Sequence, residues 1–596
     1  MKLVIVESPN KVRKIKDFLG SGYRVAASFG HVRDLPAAGG LAVAFENGKI
    51  LPSYVMLERS GRHVSELASL AKGADEVILA TDPDREGEAI AWHVSKLLGE
   101  RKYSRVVFHA VTKAEVQKAM AKPRPLDQHL IDAQQARRVL DRVVGWVVSP
   151  TLRRVAKEAR SAGRVQSVAL RLVADREKEI GKHSVVDYFI LAARLEKKGS
   201  PPPFSAKLVR WKSHPLGQRL RDAALAEKTV EWGRKQEWRV LSCDRRDSAR
   251  NPPPPFTTAT VQQAASVRLG FNPDATMKLL QSLFEDGKIT YHRTDSTALA
   301  PESVKEARDV IAKQFAPEYL PKAPVVHATK SANAQEAHEA IRPTHPETGP
   351  DALGAADAGK LYRLIWQRFI ACQMAPGRDQ ITTIDVACNP DGWKGADGSS
   401  VPMGVFQAKG KVLLFDGWRT VAGEDATEEQ KKKGKKDADE SPEDDDADDV
   451  LPMLEPGDKL DLLKLDALKR STKPPPRYTQ ASLIKKLESE GIGRPSTYAA
   501  IMRVIMERGY VKEEKRKLHA APLGLSVSDF LVRHYSGNFI DLDYTARLEE
   551  DLDRIARGEA GWEKVVTEAS FAVVALARKA GLWYDPLVPR PPKPST

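Results

Sequence analysis

Cysteine is nearly absent from this chain. Three residues in 596, Cys243, Cys372 and Cys388, are scattered and form no Cys-x-x-Cys pair. That argues against a disulfide framework and a zinc ribbon, and no zinc is expected. Long apolar runs are missing too. No stretch reaches 18 residues and no signal-peptide core is visible, so a cytoplasmic protein without a membrane partner is expected. No Gly-x-x-x-x-Gly-Lys-Ser/Thr loop occurs, which removes the usual cradle for ATP. Positive charge, by contrast, is plentiful. Lys and Arg number 94 against 80 Asp and Glu, a net of +14. Residues 431–449 hold five lysines and nine acids, so the rest carries +18. Such an excess points to a polyanionic partner, because neutralising phosphates releases counterions.

The first candidate site is a turn. An apolar run from Val77 ends at Asp82, and an amphipathic helix is expected to begin near Glu86. Asp82, Asp84 and Glu86 therefore fall where a strand becomes a helix, and open α/β sheets bind ligands at that edge. Closely spaced hard oxygens suit Mg²⁺. A helix macrodipole alone would explain Glu86 and Glu88 but not acids on both sides of Pro83. Lys2–Val6 reads as a second strand, closed by Glu7 and followed by a basic helix carrying Lys11. If the two strands are parallel neighbours, Glu7 joins the acids. Carboxylates crowded together have raised pKa values, which suits a general acid.

The second candidate is Tyr291, set among Thr290, Arg293, Thr294 and Ser296. A phenolate can attack a phosphodiester and keep the bond energy in a phosphotyrosine.

Glu7 with Asp82-x-Asp84-x-Glu86 resembles a Toprim domain, and Tyr291-His-Arg293-Thr-Asp-Ser resembles the active-site segment of type IA DNA topoisomerases. Further similar segments follow in the family's order to about residue 560. They are Ser28-Phe-Gly-His31-Val-Arg-Asp, Ala133 to Arg142, Ser161-Ala162-Gly163-Arg164-Val165-Gln166, Asn333 to Arg342, and Gly493-Arg494-Pro-Ser496-Thr497-Tyr. The opening Val-Glu-Ser-Pro and the Arg-Pro-Ser-Thr-Tyr segment are closer to bacterial topoisomerase I than to topoisomerase III. The resemblance implies that Tyr291 is the nucleophile, Glu7 the proton donor, and Arg293 and Lys11 the groups stabilising phosphate charge, with His338 joining the site. It implies Mg²⁺ on Glu7, Asp82, Asp84 and Glu86. It implies DNA, single-stranded at the cleavage point, along His31, Arg137, Arg138, Asp141, Ser161 to Gln166, Arg293, Arg494, Ser496 and Thr497. The chain departs from many bacterial relatives in showing no four-cysteine zinc ribbons. A monomer is expected.

The organisation is multidomain, α/β plus α and β, and the resemblance implies a toroidal gate. The expected parts are an α/β Toprim domain over 1–126 and the first segment of a helical single-strand-binding domain over 131–186. A β-rich hinge follows in two segments, 187–252 and 378–472, the second interrupted by a low-complexity, disordered loop at 423–449. A helical block carrying Tyr291 fills 253–377, the helical domain resumes over 473–575, and a Pro-rich tail covers 576–596. Val139, Leu140, Val143 and Val144 mark a buried stripe that leaves Arg137, Arg138, Asp141 and Arg142 on other faces. A weak repeat is also legible. Phe256-Thr257 through Gly270 and Thr276 to Gly287 parallels Tyr478-Thr479 through Gly491 and Thr497 to Gly509. Each reads as helix, turn, Thr-opened helix, glycine and strand, like a winged helix-turn-helix.

The function expected is ATP-independent relaxation of negatively supercoiled DNA through a 5′-phosphotyrosine. Decatenation, a catalytically inactive DNA-binding paralogue, and a Toprim primase or nuclease are the alternatives.

Overall fold

In Lys2–Val6 every residue after Lys2 is buried, as befits a central parallel strand covered on both faces. The computed structural model describes all residues except 39, 160, 212–213, 216–219, 328–338, 391, 395–399, 402–403, 423–449 and 582–596. The expected loop 423–449, His338 and most of the expected tail therefore lie outside the described residues.

Four parallel strands form the N-terminal sheet in the order Tyr23–Ala27, Lys2–Val6, Val77–Leu79, Tyr103–Arg105. Ile5 pairs with Leu79, so Glu7 and Asp82 leave the same edge. Side chains alternate between faces. Leu3 and Ile5 pack with Leu67, Ile90 and Val94 from the domain's own helices Gly61–Lys72 and Arg85–Leu98. Val4, Val6 and Ile78 pack instead in a core containing Phe284, Ile289 and Tyr291. One face of the sheet thus belongs to a body almost three hundred residues away, which is how the tyrosine reaches the acids.

Residues 128–182 form two helices, Gln128–Leu152 and Arg164–Lys182. The stripe of Val139, Leu140, Val143 and Val144 is buried as expected. Arg137 is buried as well, because helices Leu542–Ala556 and Trp562–Lys579 cover that side too. The last of these runs to Lys579 and buries Val573, Val574 and Ala577, so the expected boundary at 575 falls inside a helix.

The two β-rich segments come together in one sheet. Its order includes Ser200–Trp211, Gly404–Phe415, Gly377–Cys388, Trp238–Arg250, Lys459–Ser471 and Asp187–Lys197. Asp187–Lys197 also pairs with Ser200–Trp211, which closes these six strands on themselves.

The repeat is real in three dimensions. Helices Thr258–Arg268 and Gln480–Ser489 each open with a reciprocal cap, Thr257 with Thr260 and Thr479 with Ser482. These first helices pack on each other, and the second helices, Pro273–Glu285 and Tyr498–Glu507, also touch. Two expectations fail in the first copy. Its second helix is opened by Asn272 and Pro273, with Thr276 inside the first turn. Tyr291 is not in a strand. Residues 287–291 make a single bridge, Ile289 with Pro343, because the Tyr291 amide donates to the His109 carbonyl at 2.8 Å instead of continuing a ladder. The second copy does form a hairpin, Val511–Glu514 with Lys517–Ala520.

Candidate active site

Local rules build the acidic turn. Asp84 caps the helix Arg85–Leu98, its Oδ1 accepting from the Gly87 amide at 2.8 Å. Gly87 is required at its place, since a Cβ there would stand 2.1 Å from the Asp82 carbonyl oxygen. That carbonyl accepts from Arg105 at 2.7 Å. Lys11, wholly buried on the helix Pro9–Leu19, is paired with the Asp82 carboxylate. His31 meets Glu86 at 3.2 Å, and Gln134 donates to the same oxygen at 3.3 Å.

Into this setting comes Tyr291. Its phenol, 1% exposed, donates to Asp84 Oδ2 at 2.7 Å. Arg293 Nη1 approaches the same oxygen at 3.5 Å. Burial first, and then Asp84, push the Tyr291 phenol well above its ordinary pKa, so it is protonated here. Burial and the Asp82 charge push Glu7 up to about 7, against the opposing pull of Lys11 and Arg293. Glu86 is opposed by burial, yet the His31 hydrogen bond and charge bring it below its usual value. The structure therefore unites Tyr291, Arg293, Glu7, Lys11, Asp82, Asp84, Glu86 and His31.

The donor set fits Mg²⁺ chemically, since all the acids are hard oxygen ligands. No three His, Cys, Asp or Glu side chains converge as a ready cage among the described residues. Asp82, Asp84 and Glu86 are each held by a protein cation or donor instead. That suits an ion which takes one or two carboxylates and keeps several waters.

Most of the remaining expected contacts line one cavity of about 300 Å³. It is bounded by Arg137, Asp141, Ser161, Ala162, Gly163, Arg164, Val165, Gln166 and Thr497. Arg138 lies outside it, paired with both oxygens of Asp34 at 2.7 and 3.0 Å. Ser496 is exposed nearby, and Arg494 binds Asp553. Arg508, on the cavity wall, was not anticipated.

Nor was the buried knot behind the cavity. Glu549 accepts from Arg137 at 2.7 Å and from Arg164, and lies 3.7 Å from Arg494. Asp553, one turn on, takes Arg494 and Arg85. Burial alone would raise the Glu549 carboxyl, but the three arginines hold it far below the ordinary range. Arg85 stands between Asp84 and Glu86 in sequence, so the knot ties the acidic turn to the cavity. The available signal was the phase of Glu549 and Asp553, on the face of their helix that carries Leu548 and Leu552. His292 was also missed. It is buried beside Tyr291, and among the described residues neither ring nitrogen has a hydrogen-bond partner.

A parallel sheet with carboxylates at its carboxyl edge, met there by a tyrosine from a separate helical body, defines a Toprim protein with a phenol brought in from outside that domain. The Toprim domain family model matches residues 2–111, and the family described as DNA topoisomerase matches residues 125–567. A Zymomonas mobilis protein named DNA topoisomerase 1 is 41% identical over 95% of this chain and 45% of its own length. A Vibrio cholerae protein of the same name is 40% identical over 95% of this chain and 65% of its own. The solved full-length topoisomerase I from Thermotoga maritima matches with a TM-score of 0.78 and 32% identity, covering 96% of this chain and 90% of that one. The chain belongs to the DNA topoisomerase family, on the type IA, topoisomerase I-like side. It spans about half to two thirds of the length of the first two relatives.

Proposed function

We propose that this chain is an ATP-independent DNA topoisomerase that cuts one strand through Tyr291, passes a strand and reseals the break, relaxing negatively supercoiled DNA. The observation that carries the proposal is the 2.7 Å contact between the Tyr291 phenol and Asp84, 207 residues apart in sequence. In this reading the phenol gives up its proton towards that carboxylate, and its oxygen attacks a backbone phosphorus. The bond from phosphorus to the 3′ oxygen breaks, leaving the 5′ phosphate on Tyr291. Glu7, poised near neutrality, protonates the departing 3′ oxygen and takes the proton back on resealing. Arg293 faces the charge on the non-bridging oxygens, which its planar fork suits. Lys11 shares that role from its pairing with Asp82. Mg²⁺ held by Asp82, Asp84 and Glu86, with Glu7 at the margin, would supply positive charge that keeps the phosphate in place for religation.

Strand passage requires the 253–377 body to part from the sheet. Parting would break the polar ties at the site, where Tyr291 and Arg293 meet Asp84 and the Tyr291 amide meets the His109 carbonyl, and those at the rim. Asn10 donates to Glu285 at 2.7 Å, and Lys14 to Asp286 at 3.2 Å. The cavity beside Gly163 and Arg164 and the surface at Arg138, Arg494 and Ser496 would guide the single-stranded segment. All these residues lie on one chain, so a monomer suffices, working at the nucleoid where its substrate is.

The test is direct. Denaturing a mixture of protein and single-stranded oligonucleotide should trap an adduct that Tyr291→Phe cannot form. On plasmid DNA with Mg²⁺, negative supercoils should be removed faster than linked circles are separated. A wild-type protein that forms no adduct, or a Tyr291→Phe variant that still nicks, would sink the reading.

A further inference from the structure

Phe29 is an aromatic residue in the wrong place for packing. It is 51% exposed and belongs to none of the four apolar cores of the described residues. Its φ is +60°, in the left-handed region where a bulky side chain is strained. Such strain persists only where the surroundings impose it, and it gathers at functional sites. Here both neighbours are pinned to the strand end that carries Glu7. The Ser28 amide donates to the Val6 carbonyl at 2.9 Å and the Gly30 amide to the Glu7 carbonyl at 3.2 Å. The Ser28 hydroxyl closes the turn onto the Gly30 carbonyl at 3.1 Å, and His31 follows at once, engaged with Glu86. The loop thus belongs to the wall of the acidic site, and its conformation turns the Phe29 ring onto His63. The two rings lie 3.9 Å apart between centroids and 20° from parallel. His63 comes from the helix Gly61–Lys72, so the support under the ring is rigid.

We propose that Phe29, backed by His63, is a positioning platform on which an unpaired base beside the scissile phosphate stacks. The proposal rests on the reading that this site cuts a DNA strand. Cutting at a chosen phosphate needs the backbone held in line with Tyr291, and charge alone lets a flexible strand slide. A stacked base next to the phosphate removes that freedom. Stacking accepts any base because every base has a π-face, so the platform would fix register without dictating sequence. Glycine at position 29 would relieve the strain but offer no surface.

The experiment uses the full chain and a single-stranded oligonucleotide with 2-aminopurine placed in turn on each side of the cleavage point. Wild type and Phe29→Tyr should quench the probe at one of these positions. Phe29→Asn should not, although asparagine tolerates positive φ and keeps the turn. For Phe29→Asn, KM should rise about tenfold, at the low end of what one base–aromatic stack supplies. Its adduct yield at saturating DNA should stay within about twofold of wild type, since the same range of energies is spent on binding. Equal quenching and KM in wild type and Phe29→Asn would overturn the platform. Should Phe29→Asn melt at a lower temperature, the comparison of wild type, Phe29→Tyr and Phe29→Trp decides. Quenching that follows the size of the ring supports the platform, and quenching at neither position in any of them overturns it. Quenching needs no cleavage, so an absent Tyr291 adduct would sink the preceding reading without being mistaken for failure of this one.

Discussion

After Gly287 the first winged-helix copy runs as an irregular extended segment into Tyr291, whereas after Gly509 the second folds into the hairpin Val511–Glu514 with Lys517–Ala520. Both glycines have positive φ, 58° and 71°. Each copy also places a tyrosine beyond its glycine, but the two are held differently. Tyr510 is satisfied within the helical domain, accepting from the Ser161 amide at 3.2 Å and donating to the Ser161 carbonyl at 2.9 Å. Tyr291 finds its backbone partner in His109 and its side-chain partner in Asp84, both across a domain boundary. One scaffold therefore gives a self-contained wing and a segment whose tyrosine is bound across a domain boundary. The second arrangement is the one a site divided by domain motion needs.

The sharpest way to break this comparison is to remove one hydroxyl at a time. Tyr291→Phe should lose the covalent DNA adduct entirely, and Tyr510→Phe should retain it, as read on denaturing gels.

The anchoring of the second copy comes next. Arg494 holds it to Glu549 and Asp553, and Glu549→Ala leaves the buried Arg137 without its carboxylate and Arg164 with Asp141 alone, which should cost about 3–5 kcal/mol in denaturant titration. The sign with pH is fixed by the depressed Glu549 pKa. The contribution is complete above the ordinary carboxylate value of about 4.3 and is lost as pH falls towards the folded value. Wild type and Glu549→Ala should therefore converge in stability as the solution is acidified.

Gly287→Ala and Gly509→Ala form a matched pair. Each forces alanine into the left-handed region at about 1–2 kcal/mol. Only at 287 would the new Cβ also strike a neighbour, the Val111 carbonyl oxygen at 2.2 Å across the boundary, while nothing lies within 4 Å at 509. Gly287→Ala should part the domains and raise hydrogen exchange at the Tyr291 amide, and Gly509→Ala should not.

The smallest contrast concerns polar satisfaction. The His292 ring is buried without hydrogen bonds among the described residues, so His292→Leu should be neutral or slightly stabilising by thermal melting. Tyr510→Phe, which removes a satisfied bond, should lose about 1 kcal/mol.

Much of the site was legible because its parts obey short-range rules. Asp82, Asp84 and Glu86 were readable as a strand-to-helix turn, and Asp84 is indeed the cap of the helix that follows. Glu7 could be added because two short apolar runs implied parallel neighbours, and Ile5 does pair with Leu79. The Tyr291 strand was misread since nothing local announces that a backbone amide will bond to His109. The burial of Arg137 was not legible because its covering helix begins some four hundred residues later. Phe29 carried no sequence signal at all, as its strain is a backbone angle.

Sequence alone determined the elements and the chemical inventory of this chain. Periodicity, caps and turn residues act over a few positions, and the charged and phenolic groups are what they are wherever they fall. Only the tertiary structure decided which of those groups meet. It set the phenol of residue 291 against Asp84, buried an arginine knot behind the cavity, and left the His292 ring without a hydrogen-bond partner among the described residues. Burial and long-range contact are properties of the packed chain, and they decide which charges survive and which protons stay.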